Sequence, residues 1–263
     1  MTAIVWDEAQ NRLYETGIDH VVLYKPNESG VYSTGVAWNG VTALNENPSG
    51  ADPTDLWADN IKYLSIRAAE QFGFGIEAYT YPDEWMECDG SAEPIPGVII
   101  GMQTRKTFGL SYRTIIGNDI LDNDYGYKLH LVYGATASPS AKNYQTVNDS
   151  PEAITFSWDC TTTPINVTNH KPTSYLSVNS TKVNSAKLKV LEAILYGVDA
   201  SDFSSTATYP AGSYVAHENK VYTNNAAITT AGEWDASNWT EIANPGPRLP
   251  LPDEVFTILG ENA

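Results

Sequence analysis

Acidic side chains are the most abundant groups in this chain that could do chemistry, and they are densest at Asp83, Glu84, Glu87 and Asp89. A glycosidase needs two carboxylates held apart across a sugar bond, one to donate a proton and one to attack or activate water. Four acids on one short turn define no such pair. Pro82 precedes them, and proline followed by acids is the pattern of a helix start, where negative charge meets the positive end of the helix dipole. We therefore expect a short helix whose acids face water. Asp119, Asp122 and Asp124 have the look of a calcium loop, but the required glutamate at the twelfth position is missing and Gly126 falls out of place, which leaves a turn. The four histidines, His20, His130, His170 and His217, have no partner at helical spacing, so no zinc site is expected. Cys88 and Cys160 are too few for a disulfide framework and are expected to be free core residues. No phosphate-binding loop, nucleophile elbow or dinucleotide glycine pattern is present. The chain is read as having no catalytic residues, no bound metal and no cofactor.

The elements that would have to position any site are mostly strands. The most informative stretch is 97–135, two β-rich runs around a polar segment from Gly117 to Gly126. In the second run Tyr127, Leu129, Leu131 and Tyr133 alternate with Lys128, His130 and Val132, the period of a strand buried on one face. We expect a long hairpin at the centre of an antiparallel sheet. Further strands are expected at 20–24, 31–44, 61–67, 72–79, 154–163 and 175–178, and residues 1–17 as a loose arm or helical turn. The segment 45–60 reads as a long polar loop punctuated by Pro48 and Pro53, and loops of that length on a rigid sheet usually bind something or are disordered. Asn184–Tyr196 is the one clear helix. Asn184 can cap it, Leu188, Leu191 and Leu195 make its apolar stripe, and Gly197 ends it. It is expected to cover one side of the sheet.

Composition narrows the function classes. Across 263 residues, hydrophobic content is 42%, enough for a real core, while charged residues are only 18%. The 32 acids against 15 bases give a net charge of −17 and no basic tract, which excludes a nucleic-acid-binding footprint. There is no signal-peptide pattern and no run approaching a membrane span, so a soluble protein made in the cytoplasm, without a membrane anchor, is expected.

Several ordered motifs point to a family. Trp38-Asn-Gly-Val-Thr-Ala-Leu-Asn-Glu-Asn-Pro-Ser-Gly50, Tyr79-Thr-Tyr-Pro-Asp-Glu84, Glu87-Cys-Asp-Gly-Ser91, Lys106-Thr-Phe-Gly-Leu-Ser-Tyr-Arg113, Gly126-Tyr-Lys-Leu-His-Leu-Val-Tyr-Gly134, Asn148-Asp-Ser-Pro-Glu-Ala153 and Pro247-Arg-Leu-Pro-Leu-Pro-Asp-Glu254 resemble the major tail tube proteins of long-tailed, non-contractile bacteriophages. The likeness covers most of 15–197 and 247–258. It implies a mainly β fold, an antiparallel β-sandwich or barrel with one flanking α-helix. It also implies six-fold rings stacked into a virion tail tube, assembled in the host cytoplasm, through which DNA passes without specific binding. Its partners would be further copies of itself, a tape measure protein and a tail terminator. By the same resemblance the loop residues Asn45, Asn47, Pro48, Asp52, Pro53 and Asp55 are candidates for contact with the next ring.

Residues 203–243 differ in character and interrupt the tube pattern, which resumes in a C-terminal extension at 244–263. Tyr209-x-x-Gly212-x-Tyr-Val215, Lys220-Val-Tyr222, Trp234 and Trp239 resemble small all-β carbohydrate-binding modules of families five and twelve. That likeness makes Tyr214, Tyr222, Trp234 and Trp239 candidates for stacking on surface glycans. It departs from the pattern at Thr223-Asn224-Asn225, where such modules show tryptophans. A core role for the same aromatics is the simpler alternative, since large aromatics dominate small cores. Two other functions stay open beside the tube: a glycan-binding adhesin on a β carrier, and a polysaccharide hydrolase, which would need the carboxylate pair that the sequence lacks.

Overall fold

The computed structural model describes residues 4–146, 149 and 152–260. Its strands are β1 (Leu13–Pro26), β2 (Tyr32–Ala37), β3 (Val41–Glu46), β4 (Ser49–Gly50), β5 (Pro53–Ala58), β6 (Ile61–Arg67), β7 (Glu70–Gln71) and β8 (Gly73–Ala78). After a short helix α1 (Met86–Asp89) come β9 (Ala92–Ile95), β10 (Val98–Ile100), β11 (Phe108–Asn118), β12 (Asp122–Ala137), β13 (Phe156–Thr162) and β14 (Tyr175–Asn179). Helix α2 (Ser185–Tyr196), β15 (Ser201–Asp202), β16 (Tyr214–His217), β17 (Lys220–Asn224), β18 (Trp239–Ile242) and α3 (Pro252–Leu259) complete the chain. The protein is mainly β, with antiparallel sheets, a flanking helical layer and a small all-β module.

One eight-stranded sheet organises the fold, in the order β2-β1-β11-β12-β13-β8-β3, with β14 also paired to β12. Every pairing in it is antiparallel. The sheet turns back on itself, because its two end strands, β2 and β3, are joined by the short link 38–40; the Trp38 N–H donates to the Val21 carbonyl at 2.8 Å and extends the β1–β2 ladder into that link. The change of partner along β12 needs a bend, and Gly134 supplies it at φ 59°, with the Thr163 carbonyl packed where a Cβ would sit.

The sheet is buried on both faces, because successive side chains point to opposite sides. Val21, Leu23, Phe74, Ile76, Phe108, Leu110, Val132 and Trp158 fill the inside of the roll with Trp38 and Trp85. Trp85 lies 4.6 Å from Trp38 and 5.3 Å from Trp158 between ring centroids, tilted or edge-on as aromatic quadrupoles prefer. Val22, Tyr24, Leu129, Leu131 and Tyr133 face the other way, onto Leu188, Leu191 and Leu195 of α2 and Val255 of α3. The central hairpin is therefore buried on two sides at 129–133, where the alternation suggested one. The helix covers the face that would otherwise be wet.

Several elements differ from the sequence expectation. Residues 97–116 are not one strand: Val98–Ile100 pairs with Ala92–Ile95 in a separate hairpin, and only Phe108 onward joins the central sheet. The stretch 31–44 is two strands broken at 38–40 by a turn. The N-terminal segment expected as an arm enters β1 at Leu13, pairing with Asn118. The alternation of proline with leucine in 248–256 predicts extended chain there, but Pro252–Leu259 is helical, with proline in the first turn followed by Asp253 and Glu254. Two helices, not one, flank the sheet.

Candidate assembly surface

The segment between β3 and β8 projects from this body as a two-stranded arm. Asn47 continues the β3–β8 ladder by donating to the Gly73 carbonyl at 2.7 Å. Ser49 and Gly50 pair with Gln71 and Glu70, and Pro53–Ala58 pairs with Ile61–Arg67. Asp59 and Asn60, both at positive φ, form the two-residue turn whose twist suits a hairpin. The expected polar loop is thus mostly strand. Asn45 lies inside β3, opposite Gly75, and Pro48 and Asp52 sit at the exposed links between the short strands. Pro53 starts β5, where it needs no ladder N–H, and Asp55 is bonded to Lys62 at 2.7 Å and Ser65 at 2.6 Å. The alternation of Leu56 with Asp55 and of Leu64 with Ser65 about Asp59-Asn60 was the available signal; the prolines obscured it.

Every residue of β5 and β6 is exposed, yet the arm has an apolar side. Register places Thr54 opposite Ile66 and Leu56 opposite Leu64 on one face. Asp55, Ser65 and Lys62 occupy the other. Trp57 and Tyr63 are 69% and 68% exposed near the tip. An isolated two-stranded hairpin is marginal in water, and an uncovered apolar face on it marks an interaction site. A second hairpin, β9–β10, also exposes Ile95, Val98, Ile99 and Ile100, and Met102 follows it fully exposed.

The feet of the arm rest on a partly buried polar cluster, in which Tyr112 and His130 are the buried members. At one foot Glu46 accepts from the Tyr112 hydroxyl at 2.6 Å; at the other Phe72 stacks on Tyr175 at 5.0 Å, and its carbonyl accepts from Thr162 at 2.7 Å. His130 lies between Tyr112 and Tyr175, its ring parallel to that of Tyr112 at 4.5 Å. Burial raises the Tyr112 and Tyr175 hydroxyl pKa values, Tyr175 to about 12, so both remain protonated donors.

The acidic turn is rearranged from its expected role. Asp89 is buried and accepts from the Trp158 indole at 3.1 Å and Lys142 at 2.8 Å, with Arg105 at 3.5 Å. Glu87 is the partly exposed partner of Lys106 and Lys25. Cys88 and Cys160 are both free and buried, and burial pushes the Cys88 thiol up to about 12. Among the described residues no three His, Cys, Asp or Glu side chains converge as a metal site, and no helix is long and apolar enough to cross a membrane.

The small module begins its sheet at Ser201, where β15 runs parallel to β16, and continues through β17 to β18. Its aromatics divide. Tyr222, Trp234 and Trp239 cluster with Phe203, Tyr209 and Val215 as the module's own core. Trp234 stacks between Trp239, at 5.3 Å, and His217, at 4.0 Å. Tyr214 faces the other way, packing with Val221 and Ile242 onto Val190, Ala193 and Ile194 of α2. The four candidate stacking residues therefore share no common face. Asn224 stands where a platform tryptophan was anticipated and is buried: its amide donates to the Pro210 and Ala226 carbonyls at 2.9 and 2.8 Å, and its oxygen accepts from the Ser213 N–H at 2.7 Å.

No protein-family model matches this chain, and a search of curated proteins returned no match.

Proposed function

We propose that this is a structural virion protein whose copies form rings that stack into a phage tail tube, a conduit for DNA. The observation that carries the reading is the arm, an ordered hairpin that presents Leu56, Leu64 and Ile66 to solvent, with none of the described residues covering them. The occupant is a second copy. A surface that mates with a different patch on the next copy builds open, repeating assemblies instead of closed dimers. The net charge of −17 fits a lumen that DNA must slide through, since like charges repel phosphate and a basic wall would hold it at many points. The motif resemblance supplies the ring and tube geometry, the tape measure and terminator partners, and the virion location. The module decorates the outside of the tube. Its glycan-binding role is the weaker part of the proposal, because three of the four candidate aromatics pack into its core.

The test is assembly of the double variant Leu56→Asp, Leu64→Asp, in which both changed side chains are already exposed, so the monomer should fold. Wild type is expected to sediment as rings and tubes visible by negative-stain microscopy, and the variant as monomer with unchanged circular dichroism. Tubes of ordinary length from the variant would sink the proposal.

A further inference from the structure

The arm stands on a histidine whose hydrogen bonds are all met in one neutral tautomer. The Thr114 hydroxyl donates to Glu15 at 2.6 Å, so toward His130 Nε2, 2.8 Å away, it can only accept. Nε2 therefore carries the proton. Nδ1, 2.6 Å from the Tyr175 hydroxyl, is then an acceptor in the neutral ring, and Tyr175 donates to it. Every partner is satisfied with His130 neutral. Adding a proton at Nδ1 turns that nitrogen into a donor. The Tyr175 hydroxyl must then accept, and its own hydrogen has to find another oxygen. Ser177 and Glu46 are its other side-chain partners, and Glu46 also accepts from Tyr112 at the foot of the arm, so the change draws on the group that anchors that foot.

The surroundings decide how much that proton costs. His130 is 6% exposed. Glu15, from β1, lies 3.8 Å from its Nε2 but is engaged by Lys128 of β12 at 2.5 Å. Glu46, from β3, attracts a charge on the ring, Lys128 repels one, and Tyr112 and Thr114 of β11 and Tyr175 of β14 bring only neutral groups. Burial outweighs the two carboxylates and holds the His130 pKa below its ordinary value. The neutral, fully bonded cluster is thus the state present at neutral pH, and acid disrupts it.

We propose that His130 is a proton-responsive footing for the arm: its protonation redirects Tyr175, disturbs the Glu46 and Phe72 feet together, and weakens assembly in acid. This rests on the arm being the assembly element. Two measurements separate the claims. The first uses the Leu56→Asp, Leu64→Asp monomer and follows amide-exchange protection of the ladder at Asn47 and Gly73 from about pH 7.5 to about pH 4, a span that runs well below the ordinary histidine pKa because burial lowers that of His130. Protection should fall several-fold in acid, and the added variant His130→Gln, neutral throughout, should remove that fall. Equal protection at both pH values, or an unchanged fall in His130→Gln, overturns the footing whatever the arm does. The second measures tube formation of wild type and His130→Gln over the same range. Wild-type assembly should decline in acid and that of His130→Gln should not; parallel declines overturn the coupling. Failure of the assembly reading itself shows separately, as tubes formed by the arm-face variant at neutral pH.

Discussion

Asp19 and Arg113 face each other across β1 and β11, joined by two parallel hydrogen bonds of 2.7 Å. The pair sits where β1 changes register, so it secures an irregular stretch that the ladder holds less well. It also occupies Arg113, whose guanidinium lies 4.9 Å from the centre of the Tyr127 ring.

The Arg113 hydrogen bonds hold the Asp19 carboxyl below its ordinary pKa. A carboxyl depressed in the folded state stabilises the fold above its unfolded pKa, and that contribution is lost as pH falls through the folded value. Asp19→Asn should cost about 1 kcal/mol near neutral pH, discounted because the carboxylate is 34% exposed. Urea melts should show the gap between wild type and variant closing below about pH 3.9, the ordinary aspartate value. A gap that persists in strong acid would mean that the asparagine disturbs packing instead.

Asp89 makes a larger case. It collects the Trp158 indole, Lys142 and Arg105 in a site with little water. Asp89→Ala leaves the buried indole N–H without its acceptor and Lys142 and Arg105 without their counter-charge, although Arg105 keeps the Cys88 and Ala137 carbonyls. Removing one partner of a buried pair costs on the order of 3–5 kcal/mol, and the partial exposure of both cations puts this case at or below the lower end. Asp89→Asn keeps an acceptor for Trp158 and should lose less. Equal losses in the two variants, by thermal or chemical denaturation, would place the energy in the charge alone.

Asp89 also shows where sequence reading stops. Its local pattern, proline then acids, does mark a helix start, and the short helix is there. Nothing local says that Trp158 and Lys142 arrive from distant parts of the chain to bury one of those acids. The alternation of 127–133 and the capping by Asn184, which accepts from the Ala186 and Lys187 N–H groups, are local properties and could be read directly. The arm was half legible: β6 shows in the β-branched run, while β5 hides behind Pro48 and Pro53, whose turn chemistry resembles that of a loop. Its contact with a buried histidine depends on β3, β11, β12 and β14 meeting, which is tertiary information.

Helix α3 is hidden in the sequence because prolines alternate with leucine at 249–252, a pattern of extended chain. Yet Pro252 lies in the first turn, where its missing N–H costs nothing. The Tyr133 hydroxyl donates to the Pro250 carbonyl at 2.9 Å, and Val255 is fully buried against the sheet. Val255→Ala should therefore destabilise by about 1–3 kcal/mol through the lost methyl groups and the cavity left. A loss under a few tenths of a kcal/mol in a chemical melt would show that α3 is a dispensable tail.

The module can be tested as a removable part, but its seat matters. Tyr214, Val221 and Ile242 cover Val190, Ala193 and Ile194 on the outer side of α2, while the inner side of the same helix faces the sheet. Cutting out 201–243 with a short Gly-Ser join leaves the sheet contacts of α2 intact and uncovers an apolar strip. At roughly 25 cal/mol per Å² of apolar surface, uncovering it removes a few kcal/mol of burial and creates a sticky patch. Simple excision should therefore yield a folded but aggregation-prone protein. Excision combined with Val190→Lys and Ile194→Gln should restore solubility and, on the proposed function, still form tubes, because neither the arm nor the central sheet is touched. Size-exclusion chromatography and microscopy read both outcomes. Soluble, assembly-competent protein from simple excision would show that the strip tolerates water, and failure of the compensated variant to fold would show that the module is part of the tube domain's core.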